Sequence, residues 1–183
     1  LLVLVMGFFA GWSQEEGFYS IHKEQSEFYR TIGLQSSIDF DSINGFKGYL
    51  PKQHNTQALT KRVFGYFPYW AGSNYLNYQW NLLSDLCYFS YEVDPDSGNP
   101  ITIYEWNTSP AIDSALANDV KVHLCVTLFS GHSTFFNSPA AQQTLITNVI
   151  TLIQDRGAHG VNMDVEALPS SLGNAFTDFI IDL

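Results

Sequence analysis

An α/β fold built on a parallel sheet is predicted by three features of the sequence. From residue 62 onward, strand-like apolar runs and helix-like stripes alternate four times. Ser-Pro pairs at 109–110 and 138–139 are typical of helix starts, because proline is tolerated in the first helical turn. Gly157 is typical of a helix end. This order of elements favours parallel strands joined by right-handed crossovers.

The predicted elements follow one another along the chain. The residue pattern predicts strands at 62–68, 84–93, 120–129 and 160–166. Turn-forming residues at 94–99 close the second of them. Helices are predicted at 77–83, at 111–118 and after residue 139. The last of these carries an apolar stripe, which contains Leu145, Val149, Leu152 and Ile153.

Two segments precede this pattern. Residues 1–13 combine an apolar run with small residues at its end, which is typical of a secretory signal whose basic start is missing. A buried strand is the alternative. Residues 14–61 are predicted to be a polar extension or linker, with a helix from His22 to Ile32 and a loop at 36–60. Phe28, Tyr29 and Ile32 would form the apolar stripe of that helix. We expect a secreted or periplasmic protein, and no function for the extension.

Composition and net charge limit the kinds of ligand, partner and cofactor that the sequence predicts. The net charge of −10 argues against nucleic acid and favours a neutral or cationic ligand. The apolar run at the start is too short to span a bilayer, so no membrane span is expected after signal cleavage. Cys87 and Cys125 lie inside predicted strands and are expected to be free buried thiols, with a disulfide as the alternative. The histidines do not cluster in sequence, so neither a metal nor a cofactor is predicted.

The stretch with the strongest chemical signal is the predicted fourth strand. Valines and a methionine alternate there with Asn162, Asp164 and Glu166, so these three polar side chains share one face. Two carboxyls about 6–7 Å apart along a strand repel each other, so at least one should hold its proton to a higher pH. A carboxyl of that kind can act as a general acid near neutrality. A polar strand face that simply meets water is the alternative.

This stretch resembles the fourth barrel strand of glycoside hydrolase family 18, the chitinases and their relatives. That strand reads D-G-x-D-x-D-x-E in the family, and residues 159–166 read HGVNMDVE. Asp164 and Glu166 match the last two acids, Asn162 is an accepted variant of the middle one, and His159 departs from the first. A second departure lies at 127–131, where the family commonly has S-x-G-G. The resemblance spans roughly residue 62 to the end.

The resemblance implies a (β/α)8 TIM barrel of which about the first four βα units are present. An eight-stranded barrel typically needs about 250 residues, so we expect 62–183 to be the first part of a truncated catalytic domain. The fragment alone is expected to be inactive, because the remaining strands supply the other wall of the site. The whole protein is expected to be a monomer.

The resemblance also implies a reaction and roles for particular residues. The enzyme would cut β-1,4 bonds next to N-acetylhexosamine in chitin-like or peptidoglycan-like glycans, by substrate-assisted catalysis with retention. Glu166 would protonate the leaving oxygen, Asp164 would orient the acetamide, and Asn162 would hydrogen-bond Asp164. A glycan-binding protein without activity is the alternative, and the retained Glu166 favours the enzyme. Tyr66 and Trp70 match a family pattern of the first strand and would stack on sugars, unless they pack in the core.

Overall fold

The computed structural model describes residues 20–45 and 59–183. Within these residues the core is one sheet, and its strands are β1 Phe64–Pro68, β2 Asp85–Val93, the short β3 Pro100–Thr102, β4 Lys121–Leu128 and β5 Gly160–Val165. The four longer strands run parallel in the order β1-β2-β4-β5. The predicted parallel α/β fold is therefore confirmed. The signal predicted at 1–13 lies outside the described residues.

Helices cover this sheet and return the chain between its strands. In chain order they are α1 Ile21–Thr31, α2 Ser37–Asn44, α3 Pro110–Ala117, α4 His132–Phe136, α5 Pro139–Arg156 and α6 Gly173–Asp182. The predicted starts of α3 and α5 are confirmed, since proline occupies the first turn of each. The predicted end of α5 is also confirmed, because Gly157 caps it with a φ of 66°, a left-handed conformation that suits glycine. No described helix has both the length and the apolar composition needed to cross a membrane.

The core is formed mainly by the middle strands. β2 is buried along almost its whole length, and the inner residues of β4 are buried with it. Leu145 and Val149 of the predicted α5 stripe are each 1% exposed and pack into the same cluster. Cys87 and Cys125 are free and buried, as predicted. The outer strands β1 and β5 are less covered, and β5 is half-buried at every position.

Three local predictions need correction. The chain at 36–60 was expected to be a loop, but α2 occupies part of it: the Ser36 hydroxyl caps the helix by accepting from the Asp39 amide, and Gly45 ends it at a φ of 62°. The helix predicted at 77–83 is instead one short 3₁₀ turn, Trp80–Leu82, and a longer 3₁₀ segment, Tyr69–Asn77, precedes it. A short antiparallel strand that was not predicted, β3 (Pro100–Thr102), pairs with the end of β2.

Helix α1 forms where it was predicted, but only Tyr29 of its predicted stripe packs against the core. The Ser20 hydroxyl caps it by accepting from the Lys23 amide at 2.9 Å. Phe28 and Ile32 of the predicted stripe are 56% and 48% exposed, whereas Ser26 is buried. The helix lies across the carboxyl ends of the parallel strands and contacts both charged and aromatic side chains there. Apolar periodicity could not predict its polar contacts.

Candidate active site

Asp164 and Glu166, the acid pair, lie at the carboxyl end of β5. The Asp164 side chain is 15% exposed and the Glu166 side chain 19% exposed. β5 lies beside β4 in parallel register, with Asp164 opposite Thr127. The carboxyl ends of parallel strands are where α/β barrels build their active sites. The strand alternation therefore places both acids as the sequence predicted.

A histidine from the amino-terminal segment completes this site. His22 Nδ1 lies 3.0 Å from Asp164 Oδ2 and 3.1 Å from Glu166 Oε1. The partners are 142 residues apart in sequence, so no local pattern could have paired them. Residues 14–61 were expected to have no function, and the structure places His22 of that segment against the acid pair. Its position at the start of a capped helix was visible in the sequence, but its partner was not.

The pKa of Asp164 depends on burial more than on repulsion by Glu166. Burial raises the pKa of Asp164 above its usual range, the hydrogen bond with His22 partly offsets this rise, and the charge of Glu166 adds to it. The sequence predicted that one carboxyl of the pair would keep its proton to a higher pH, for reasons of charge repulsion. Desolvation is the larger cause in the structure.

Asn162 lies on the same face but has different partners from those predicted. Its amide nitrogen donates to the Cys125 sulfur at 3.7 Å. The predicted bond to Asp164 is replaced, because the Asp164 carboxyl is directed towards His22. Asn162 therefore links β5 to β4.

The two aromatic residues proposed as sugar platforms differ in exposure. Tyr66 is 45% exposed, whereas Trp70 is 8% exposed and belongs to the core cluster. The Tyr29 ring of α1 covers Trp70, with ring centroids 5.0 Å apart and planes 19° from parallel. His22 approaches Tyr66 with centroids 6.0 Å apart. Helix α1 thus contacts both aromatic residues as well as the acid pair.

His159, which departs from the family pattern, has a local structural partner. Its backbone N–H donates to the Val122 carbonyl at 2.7 Å, and its Nδ1 accepts from the Val122 N–H at 3.2 Å. The side chain therefore extends the pairing of β5 with β4 at their amino ends. A carboxylate oxygen is also an acceptor, so an aspartate there could make the same hydrogen bond.

The acid pair and His22 are also the side chains that could bind a metal ion among the residues described. One ligand atom from each lies within 4.8 Å of the others. Two carboxylates and one imidazole suit a divalent cation in their chemistry. His22 Nδ1 hydrogen-bonds Asp164 and lies 3.1 Å from Glu166, so the three side chains contact one another directly.

Together, the partial barrel and the acid pair at its carboxyl end define the class of fold. The structure is similar to a chitinase from Bacteroides thetaiotaomicron, with a TM-score of 0.54 and 19% identity, over 66% of this chain and 40% of that one. It is also similar to the spore cortex-lytic enzyme SleL from Bacillus cereus, with a TM-score of 0.58 and 20% identity, over 73% of this chain and 33% of that one. The fold is therefore that of the family 18 glycosidases.

A third neighbour has a sugar bound. It is a family 18 chitinase from Cycas revoluta in complex with (GlcNAc)3, with a TM-score of 0.54 and 17% identity, over 66% of this chain and 39% of that one. No protein-family model matches the sequence, and no curated protein matches it significantly. The chain spans 33–40% of the length of these structural neighbours, which corresponds to a partial barrel.

Proposed function

We propose that this chain supplies the acid-bearing half of a glycosidase that cleaves β-1,4 bonds next to N-acetylhexosamine. The observation that carries the proposal is the acid pair, half-buried at the carboxyl end of β5 on a sheet with the family 18 fold. Chitin-like and peptidoglycan-like glycans are the substrate class. The two classes of neighbour, chitinases and a spore cortex-lytic enzyme, support this range.

The mechanism assigns one role to each acid. Glu166 donates its proton to the glycosidic oxygen as the bond to the anomeric carbon breaks. The acetamide oxygen of the sugar attacks that carbon, so no second carboxylate of the protein is needed as nucleophile. Asp164 accepts the acetamide N–H and stabilises the positive charge of the oxazolinium that forms. Water then opens this ring, and Glu166 takes the proton back.

Three further residues support the chemistry in this proposal. Asn162 fixes β5 against β4 through Cys125 rather than by contacting the reacting acid. Tyr66 is exposed enough to pack against a sugar face, and Trp70 would join it once its covering ring moved away. Export, implied by the apolar start of the chain, would bring the enzyme to extracellular or cell-wall glycans.

The direct test is Glu166→Gln in the protein that carries the whole barrel. Glutamine keeps the shape of the side chain but has no proton to transfer, so turnover of chito-oligosaccharides should fall by at least about 10²–10⁴. Affinity for the oligosaccharide should persist. Glu105→Gln is the matched control. The Glu105 carboxylate accepts a hydrogen bond from the Ser37 amide and does not belong to the acid pair, and the glutamine oxygen can still accept that bond. Wild-type turnover in Glu166→Gln would refute the assignment.

A further inference from the structure

Helix α1 places one polar and aromatic face on the carboxyl ends of the strands. The residues that make contact are His22, Ser26, Tyr29 and Arg30, which have the i, i+4, i+7, i+8 spacing of a single helical face. Every one of these side chains meets a residue of the sheet or of the segment directly after β1. The contact surface is therefore continuous along the helix rather than a single touching point.

The contacts coincide with the proposed glycan site. His22 Nδ1 hydrogen-bonds Asp164 and lies 3.1 Å from Glu166 Oε1, and the His22 ring also lies 5.7 Å from the ring of Phe89. Tyr29 stacks on Trp70 in the manner that a sugar ring would. A substrate cannot reach the Glu166 proton or the Trp70 face while these two side chains remain in place. Helix α1 and a glycan therefore exclude each other.

Electrostatics hold the helix at both ends. Its amino end, which has partial positive charge from the aligned peptide dipoles, lies beside the two carboxylates through His22. One turn further on, the Ser26 hydroxyl donates to Glu92 at 3.1 Å, and Arg30 binds the same carboxylate at 2.7 Å. Glu92 is 13% exposed in its side chain, so that ion pair is partly shielded from water.

We propose that α1 is a self-inhibitory element that occupies the glycan site and must leave before a substrate can bind. This inference rests on the proposed function, since it requires that the acid pair acts on a glycan. The apparent affinity for the ligand is then reduced by the fraction of molecules in which α1 is undocked. By the reciprocity of linkage, a bound glycan weakens the docking of α1 to the same extent.

The first experiment compares glycan affinity in variants of the whole-barrel protein. His22→Ala combined with Tyr29→Ala removes the two side chains that occupy the site, and the dissociation constant for the N-acetylglucosamine tetramer should fall at least about tenfold. Phe28→Ala is the matched control, because this aromatic residue of α1 is 56% exposed, and its affinity should equal that of the wild type. Equal affinities in all three proteins would overturn the proposal.

The second experiment measures the docking of α1 by hydrogen exchange. Hydrogen exchange of peptides that cover residues 21–31 is measured in the wild-type protein with and without saturating tetramer. Exchange should become faster with the glycan, because the displaced helix loses its docked surface. Unchanged exchange in a protein that binds the tetramer would overturn self-inhibition. If α1 exchanges freely in the double variant but no glycan binds, the proposed function itself fails, and self-inhibition fails with it.

Discussion

The two ends of the parallel sheet each carry a buried aspartate beside a histidine, yet their charge balance differs. At the amino end, Asp85 binds the Arg62 guanidinium, with Nε at 2.8 Å, and His123 Nε2 at 2.8 Å; we call these three residues the amino-end cluster. At the carboxyl end, two carboxylates share the single imidazole of His22. One imidazole carries at most one positive charge, so it cannot neutralise the negative charges of both carboxylates.

The pKa values of the two aspartates follow this difference. The hydrogen bond from Arg62 lowers the pKa of Asp85, burial opposes that effect, and His123 lowers the pKa further. Burial dominates at Asp164 and raises its pKa. A buried carboxylate that is paired with cationic groups stabilises the fold, whereas a carboxylate without enough cationic partners has a perturbed pKa and is available for chemistry. The amino ends of barrel strands accordingly serve stability, and the carboxyl ends serve function.

Among the variants that distinguish the two ends of the sheet, Asp164→Asn should have the largest effect, and that effect is on turnover. The amide oxygen still accepts from His22, so the free energy of unfolding should stay within about 0.5 kcal/mol of the wild-type value. The negative charge that stabilises the oxazolinium is lost, and turnover in the whole-barrel protein should fall about 10²–10³-fold. Kinetics with chito-oligosaccharides and urea unfolding measure the two quantities. A large loss of stability with little loss of turnover would contradict the contrast between the two ends.

Asp85→Asn should have the opposite profile. The side chain is fully buried and loses hydrogen bonds to charged partners, so the free energy of unfolding should fall by about 1–3 kcal/mol. The lowered pKa means that this stabilisation is present above the unfolded pKa of about 3.9 and is lost as the pH falls through the folded value. The difference between variant and wild type should therefore be largest near pH 6 and shrink below about pH 4.

The control for this variant is Asp96→Asn, since Asp96 lies in an exposed turn. Its unfolding free energy should stay within about 0.5 kcal/mol of the wild type at every pH measured. Equal destabilisation by the two substitutions, or a difference that does not change with pH, would show that the amino-end cluster does not stabilise the fold through its charge.

The smallest effect concerns His159, which lies at the amino end of β5. His159→Leu removes the acceptor for the Val122 amide and should cost at most about 1 kcal/mol of unfolding free energy. His159→Asn supplies an amide oxygen and should recover most of that loss. Turnover and its pH profile should be the same in both variants. A displaced pH profile would place His159 in the electrostatics of the acid pair instead.

The sequence predicted the framework because its signals are local. Proline starts, the glycine end of α5 and the alternation around Asp164 each depend on neighbouring residues, and they predicted the acid pair at the carboxyl end of β5, where the structure has it. The capping residues of α2, Ser36 and Gly45, were equally local signals that could have revealed that helix.

What the sequence did not predict depends on distant partners. Side-chain periodicity reports the apolar residues of a helix and included Tyr29, but α1 also docks through polar residues, so neither His22 nor Arg30 was identified. The partners of Asn162 were likewise wrong, because a motif gives the residue types at a site and not the direction of each hydrogen bond. Such contacts are fixed by the fold as a whole.

The acetamide mechanism at the acid pair is tested most directly by the anomeric form of the first product. Chito-oligosaccharide is hydrolysed by the protein that carries the whole barrel, and proton NMR is recorded before the product anomers equilibrate. Attack by the sugar's own acetamide, followed by water on the same face, gives the β-anomer, and that is the result we predict. Fresh product in the α form would contradict this account and would require an inverting pair of carboxylates in its place.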